Sequence, residues 1–212
     1  MKRLVALLAM LLLPVTGEAA SVTGRVRFVG RAPGVAAPTI VYAEALDGAR
    51  IQPGQFKMAQ KSKSFVPHLL AVPSGSTISF PNEDSIFHNV FSLSRPSPFD
   101  LGLYRSGASK DRTFSMPATY RVFCNIHPQM SAIILVLPTS FITEADSGGN
   151  YRLDLPAGRY RITAWSERAQ PVTIDLTAGQ SAVTAPDVTL DESRFVETPH
   201  KNKFGQDYPK QN

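Results

Sequence analysis

The sequence predicts an all-β protein on three observations. From Ser21 onward, β-branched and aromatic runs are short and punctuated by Gly, Pro, Ser and Asp. No segment sustains the 3.6-residue apolar stripe of an amphipathic helix. The 17 prolines would interrupt any long helix, because proline lacks an amide proton and clashes with the preceding turn.

At the N-terminus, Met1-Lys2-Arg3 precedes an apolar run from Leu4 to Val15 that is too short to span a bilayer comfortably and is followed by small residues. This is the pattern of a secretory signal, residues 1–19, with cleavage expected after Ala19 and Ala20 as the competitor. The mature chain is therefore expected to be periplasmic or otherwise exported, with no integral membrane segment. Short strands are expected at Ser21–Phe28 and Thr39–Glu44. Further along, strands are expected at Ser64–Val72, Thr77–Pro81, Asn89–Leu93, Phe99–Tyr104, Arg112–Ser115 and Thr119–Cys124. Thr119–Cys124 puts Tyr120, Val122 and Cys124 on one face. Ser131–Leu137 is a continuous apolar run suited to a strand buried on both sides. Downstream, Tyr151, Leu153 and Leu155 alternate, Tyr160–Trp165 follows a Pro-Ala-Gly turn, and Val172, Ile174 and Leu176 alternate again. From Asp191 the chain turns polar and irregular, the composition of a surface tail.

The chemistry concentrates in Cys124-Asn125-Ile126-His127-Pro128-Gln129-Met130 and the upstream Phe87-His88-Asn89-Val90. Together they offer two imidazoles, one thiolate and one thioether, the donor set of a type 1 copper centre with two His and one Cys in a plane and a weak axial Met. A C-x₂-H-x₂-M loop can turn three side chains toward one ion while the fourth arrives from a distant strand. Taken singly, each residue has a plainer reading: a buried cysteine behaves as a small hydrophobe, and a methionine fills core space. The four in this order, with 35 residues between His88 and Cys124 to run through intervening strands, favour a metal site.

Over roughly residues 55–138 the chain resembles a cupredoxin of the amicyanin and plastocyanin type, and the short loop with Pro128 after the second His is most similar to amicyanin. The resemblance implies a Greek-key β-sandwich and the ligands His88, Cys124, His127 and Met130 for one copper ion. It also implies a supporting role for Asn89, which would brace the cysteine loop by hydrogen bonding. It further implies that His127 lies nearest the surface, so that apolar Ile126 and Pro128 would surround the docking point of a redox partner.

The flanks resemble a second family, the carboxypeptidase regulatory-like or prealbumin-like sandwich. The resemblance rests on Thr23-Gly24-Arg25-Val26, the hairpin Asp146-Ser147-Gly148-Gly149-Asn150-Tyr151-Arg152-Leu153 and the turn Leu155-Pro156-Ala157-Gly158-Arg159-Tyr160-Arg161-Ile162. The expected organisation is a signal peptide at 1–19, a discontinuous regulatory-like sandwich at 20–50 and 139–190, a copper domain at 51–138 inserted within it, and a polar tail at 191–212. A copper domain with an N-terminal extension, followed by a separate C-terminal sandwich, is the simpler alternative.

Composition narrows the function. Without Lys2, Arg3 and Glu18 the chain keeps 20 basic and 16 acidic residues, with no Lys/Arg block and no aromatic-basic interleaving, so nucleic acid is not an expected partner. The single cysteine leaves no disulfide framework for an exported chain. Four histidines, two of them taken by the site, are too few for the several-His clusters of multicopper oxidases or copper nitrite reductases, and a binuclear electron-transfer centre would need a second cysteine. No phosphate loop, nucleophile elbow or zinc-protease signature occurs, and no enzyme activity is expected. His68, in an apolar strand, reads as a satisfied structural imidazole, and Glu83 and Asp84 read as turn residues. The expected function is single-electron transport through Cu(I)/Cu(II) to a protein redox partner, a cytochrome or a dehydrogenase. The alternative is a periplasmic copper carrier that hands over the ion without redox cycling.

Overall fold

A computed structural model describes residues 20–31, 37–197 and 199–208. The expected signal peptide lies outside them. All regular structure among the described residues is strand, and none of them forms a helix long and apolar enough to cross a membrane. In chain order the strands are β1 (Ala20–Val29), β2 (Thr39–Ala45), β3 (Gln55–Lys57), β4 (Ala59–Lys61), β5 (Ser64–Val66) and β6 (Leu69–Pro73). Next come β7 (Ser76–Pro81), β8 (His88–Ser92), β9 (Phe99–Tyr104), β10 (Ser109–Phe114), β11 (Ala118–Cys124) and β12 (His127–Leu137). The last are β13 (Phe141–Glu144), β14 (Asn150–Leu155), β15 (Gly158–Ser166), β16 (Val172–Ala178), β17 (Val183–Thr184) and β18 (Val188–Asp191).

The middle strands form two facing sheets, β10-β7-β3 and β6-β12-β11-β8-β9, with β4 and β5 as a short hairpin beside them. Their inner faces enclose one core, which includes Phe80, Val90, Phe114, Tyr120, Val122, Cys124, Met130 and Ile134. Strands from the two ends of the chain pair with one another instead. β1 runs antiparallel to β14 and parallel to β17 and β18, while β2 lies between β13 and β15, with β16 outside. These two sheets enclose a second core around Val22, Val41, Tyr151, Leu155, Ile162 and Leu190.

β12 joins the two halves. Alternation sends Ala132, Ile134 and Val136 into the middle core. The intervening Ile133, Leu135 and Leu137 meet Ile40 of β2 and Trp165 of β15 in a third core. A stretch apolar at every position, as β12 is from Ala132 to Leu137, is what such a shared wall requires. Burying each of its Ile, Leu and Val side chains is worth about 1.5–3 kcal/mol. Across the same contact, Glu167 of the loop after β15 pairs with His68 and Arg121.

Several expected boundaries shift. The strand expected over Ser64–Val72 breaks at Pro67-His68, because Pro67 has no amide proton to continue a ladder. β5 therefore pairs with β4, and β6 turns to pair in parallel with β12. The strand expected from Ser131 starts at His127. β3, β4, β13, β17 and β18 had no expected strand: they are two to four residues long, too short for alternation to register.

Candidate metal centre

The site sits at one end of the middle sandwich, where β8 begins, β11 ends and β12 begins. Cys124 pairs with His127 across a tight turn, and the next pair is Phe123 with Ser131. Pro128, Gln129 and Met130 are therefore bulged out of the ladder opposite a single step of β11, which re-aims side chains as bulges do. On the neighbouring strand, the Asn89 amide donates to Cys124 Sγ at 3.5 Å.

His88, Cys124 and His127 converge. The two Nδ1 atoms are 3.1 Å apart, and Cys124 Sγ lies 3.9 Å from Nδ1 of His88 and 3.6 Å from Nδ1 of His127. A point equidistant from all three lies about 2.1 Å from each, within the range of about 2.0–2.3 Å at which imidazole nitrogen and thiolate bind a first-row divalent ion. Both His88 and Cys124 are fully buried and His127 is partly so, and at these separations the three Lewis bases face one another directly. Such an arrangement is repulsive without a cation or shared protons at its centre. Met130, also fully buried, belongs to the same core cluster as Cys124.

The tautomer of His88 follows from its other nitrogen. Nε2 lies 2.8 Å from Asp84 Oδ2, and a carboxylate can only accept, so Nε2 carries the proton and Nδ1 presents its lone pair to the site. Burial raises the Asp84 carboxyl, but bonds from the Lys63 and Ser62 amides and from His88 outweigh it and hold the group below the ordinary aspartate range. His127 is held below the ordinary histidine value, first by burial, then by the repulsion that two protonated imidazoles at this distance from His88 would suffer, and by Lys63, so its ring is neutral and able to ligate at pH 7. Asn82 Nδ2 donates to the carbonyls of Ile86 (2.7 Å) and Tyr104 (3.3 Å), fixing the loop that delivers His88.

Asn89 lies beside the loop. Its Oδ1 accepts from the Asn125 amide at 3.3 Å, and its Nδ2 donates to Asp100 Oδ1 at 2.7 Å. Of the two expected docking residues, Ile126 is 43% exposed, while Pro128 is half-buried and its carbonyl accepts from His200. Ile86 and Phe87, just before His88, are exposed as well. Reading the sequence missed Asp84, which it assigned to a turn, although a carboxylate four residues before a candidate ligand was a signal. It also missed His200 and Tyr208. The Tyr208 hydroxyl is pushed up to about 12 by burial and the neighbouring Cys124, so it remains a donor.

No protein-family model matches the chain, and no curated protein sequence matches it. Among solved structures it is similar to a purple cupredoxin from Nitrosopumilus maritimus, at 20% identity over 38% of this chain and 98% of that one, with a TM-score of 0.36. It is similar to a copper-containing nitrite reductase from Thermus scotoductus, at 28% identity over 53% of this chain and 28% of that one, with a TM-score of 0.38. A reduced amicyanin variant matches at 18% identity over 45% of this chain and 99% of its own, with a TM-score of 0.37.

Proposed function

We propose that this chain is an exported, mononuclear type 1 copper protein that carries single electrons between protein partners and has no enzyme activity of its own. The observation that carries the reading is the triangle of His88 Nδ1, His127 Nδ1 and Cys124 Sγ, sized for one ion and set on two fully buried donors. Soft thiolate and thioether donors beside two imidazoles select copper over hard cations. A bound copper ion would supply a one-electron couple. The protein's part is to hold the donors still: β8, β11 and β12 belong to one sheet, Asp84 fixes the His88 ring, and burial of Cys124 and Met130 excludes solvent. His127, half-exposed beside Ile126, is the ligand through which an electron would leave, and Ile126, Pro128, Ile86 and Phe87 would meet the partner. Burial of the ligands supports electron exchange over the alternative of handing the ion itself to another protein.

The test is optical. Adding Cu(II) to the metal-free protein should produce an intense visible thiolate-to-copper band at one equivalent, and Cys124→Ser should abolish it. A colourless complex in the wild type would overturn the assignment.

A further inference from the structure

Residues 199–208 form no strand, yet their side chains and backbone concentrate on the loop that carries Cys124 and His127. The His200 ring stacks on Phe123 at 4.0 Å and 18°, and its Nε2 donates to the Pro128 carbonyl at 2.5 Å. The Tyr208 hydroxyl donates to the Cys124 carbonyl at 3.0 Å, and its ring meets His200 edge-on at 5.1 Å. The Lys203 amide donates to Asn125 Oδ1 at 3.0 Å, and its Nζ pairs with Asp100 Oδ2 at 2.8 Å. Since Asp100 is bonded to Asn89 and Asn89 to the Asn125 amide, the four residues Asn89, Asp100, Lys203 and Asn125 close a ring. The segment is itself folded: Asn202 Oδ1 accepts from the Phe204 and Gln206 amides, and the Asn202 amide donates to the Gln206 carbonyl.

We infer that residues 199–208 are a strap that holds the metal loop in its binding geometry, with His200, Lys203 and Tyr208 as positioning residues. The bulge explains why one is needed. Pro128 to Met130 lie outside the β11–β12 ladder, so the loop has lost the backbone pairing that would otherwise fix it. The strap supplies substitute partners at Phe123, Cys124, Asn125 and Pro128, four of the six positions before Gln129. Groups that orient ligands from behind typically contribute about 10–100-fold in metal affinity, and the strap should act mainly on the rate of loss. The metal half of this inference rests on the copper reading; the mechanical half does not.

The experiment uses full-length protein carrying His200→Ala, Lys203→Ala and Tyr208→Ala together. In the metal-free state, amide hydrogen exchange at 125–130 should accelerate about tenfold while β14–β16 stay protected. In the copper-loaded state, a Cu(I) chelator should strip the ion about 10–100-fold faster. His200→Phe, which keeps the stack on Phe123, should restore part of both protections when exchanged into the triple variant. Should the triple variant unfold, Tyr208→Phe alone decides, with the loss of one hydrogen bond expected to give about a threefold to tenfold change. Unchanged exchange and unchanged stripping would overturn the strap. If wild type binds no copper while the loop still loosens in the triple variant, the strap stands and the function proposed above is overturned.

Discussion

Asp84 does two jobs with one carboxylate, four residues before the ligand it orients. The four candidate ligands could be named because thiolate, imidazole and thioether are scarce here, with one Cys and four His in the chain, and because their spacing is compact. Asp84 lies in Pro81-Asn82-Glu83-Asp84-Ser85, where acidic residues ordinarily serve turn geometry. It serves a turn, but not its own: it accepts from the amides of Ser62 and Lys63 between β4 and β5, and with the same carboxylate it orients His88. Its spacing four residues before His88 hinted at a second duty, but its immediate neighbours read only as a turn. Asp84→Ala should leave the ring free to rotate and its Nε2–H unpaired in a buried site, lowering copper affinity about 10–100-fold. Competitive titration against a chelator of known affinity would measure this, and wild-type affinity in the variant would remove Asp84 from the site.

At the scale of elements, legibility followed the length of the alternating pattern. Strands of five or more residues, such as β7, β9 and β14, carry enough apolar and polar steps to announce a period of two. β3 and β4 have three residues each and do not. The strap has no period at all and is held by polar groups and one stacked imidazole, so it reads as a tail. The turn before β14 is legible because its chemistry is local: Asp146 Oδ1 accepts from the Gly148 and Asn150 amides, and Gly149 takes a φ of +81°. A Cβ on Gly149 would press against the Val26 carbonyl of β1, whereas one on Gly48, at φ +82°, would meet open space. Both Gly→Ala changes carry the left-handed strain of about 1–2 kcal/mol. Gly149→Ala should cost at least about 1 kcal/mol more, since it also overpacks a strand contact. Urea denaturation of the two variants side by side would expose the difference, and equal losses would mean that β1 yields freely at Val26.

The whole molecule is two sandwiches meeting across β12, and the contact between them has an apolar part and a titratable rim. Apolar Ile133, Leu135 and Leu137 of β12 were legible as a doubly buried strand; their partners Ile40 and Trp165 were not, because nothing local to a sequence says which sheet covers which. The rim is the group of His68, Glu167 and Arg121, with His68 Nε2 at 2.9 Å from Glu167 Oε2 and its Nδ1 at 3.1 Å from the Ser131 carbonyl. The bond to Glu167 raises His68 above the ordinary imidazole value, against burial and the nearby Arg121. Glu167 is lowered, first by His68, with burial opposing and Arg121 helping. A raised histidine stabilises fully below its unfolded value of 6.5, and the contribution fades as pH climbs through the higher folded value. A lowered glutamate stabilises fully above its unfolded value of 4.5 and fades as pH drops through the lower folded one. The pair should therefore contribute most between pH 4.5 and 6.5. Because the His68 side chain is 46% exposed, solvent screening limits the effect to no more than about 1 kcal/mol. Trp165, the only tryptophan, lies in the apolar contact two residues before Glu167, so its fluorescence reports on this boundary. In urea titrations followed by that signal, the stability gap between wild type and His68→Gln should be widest near pH 5.5 and should narrow by pH 8.5, as His68 loses its charge. A gap that stays constant over this range would mean that His68 holds the boundary as a neutral hydrogen-bonding ring rather than as an ion.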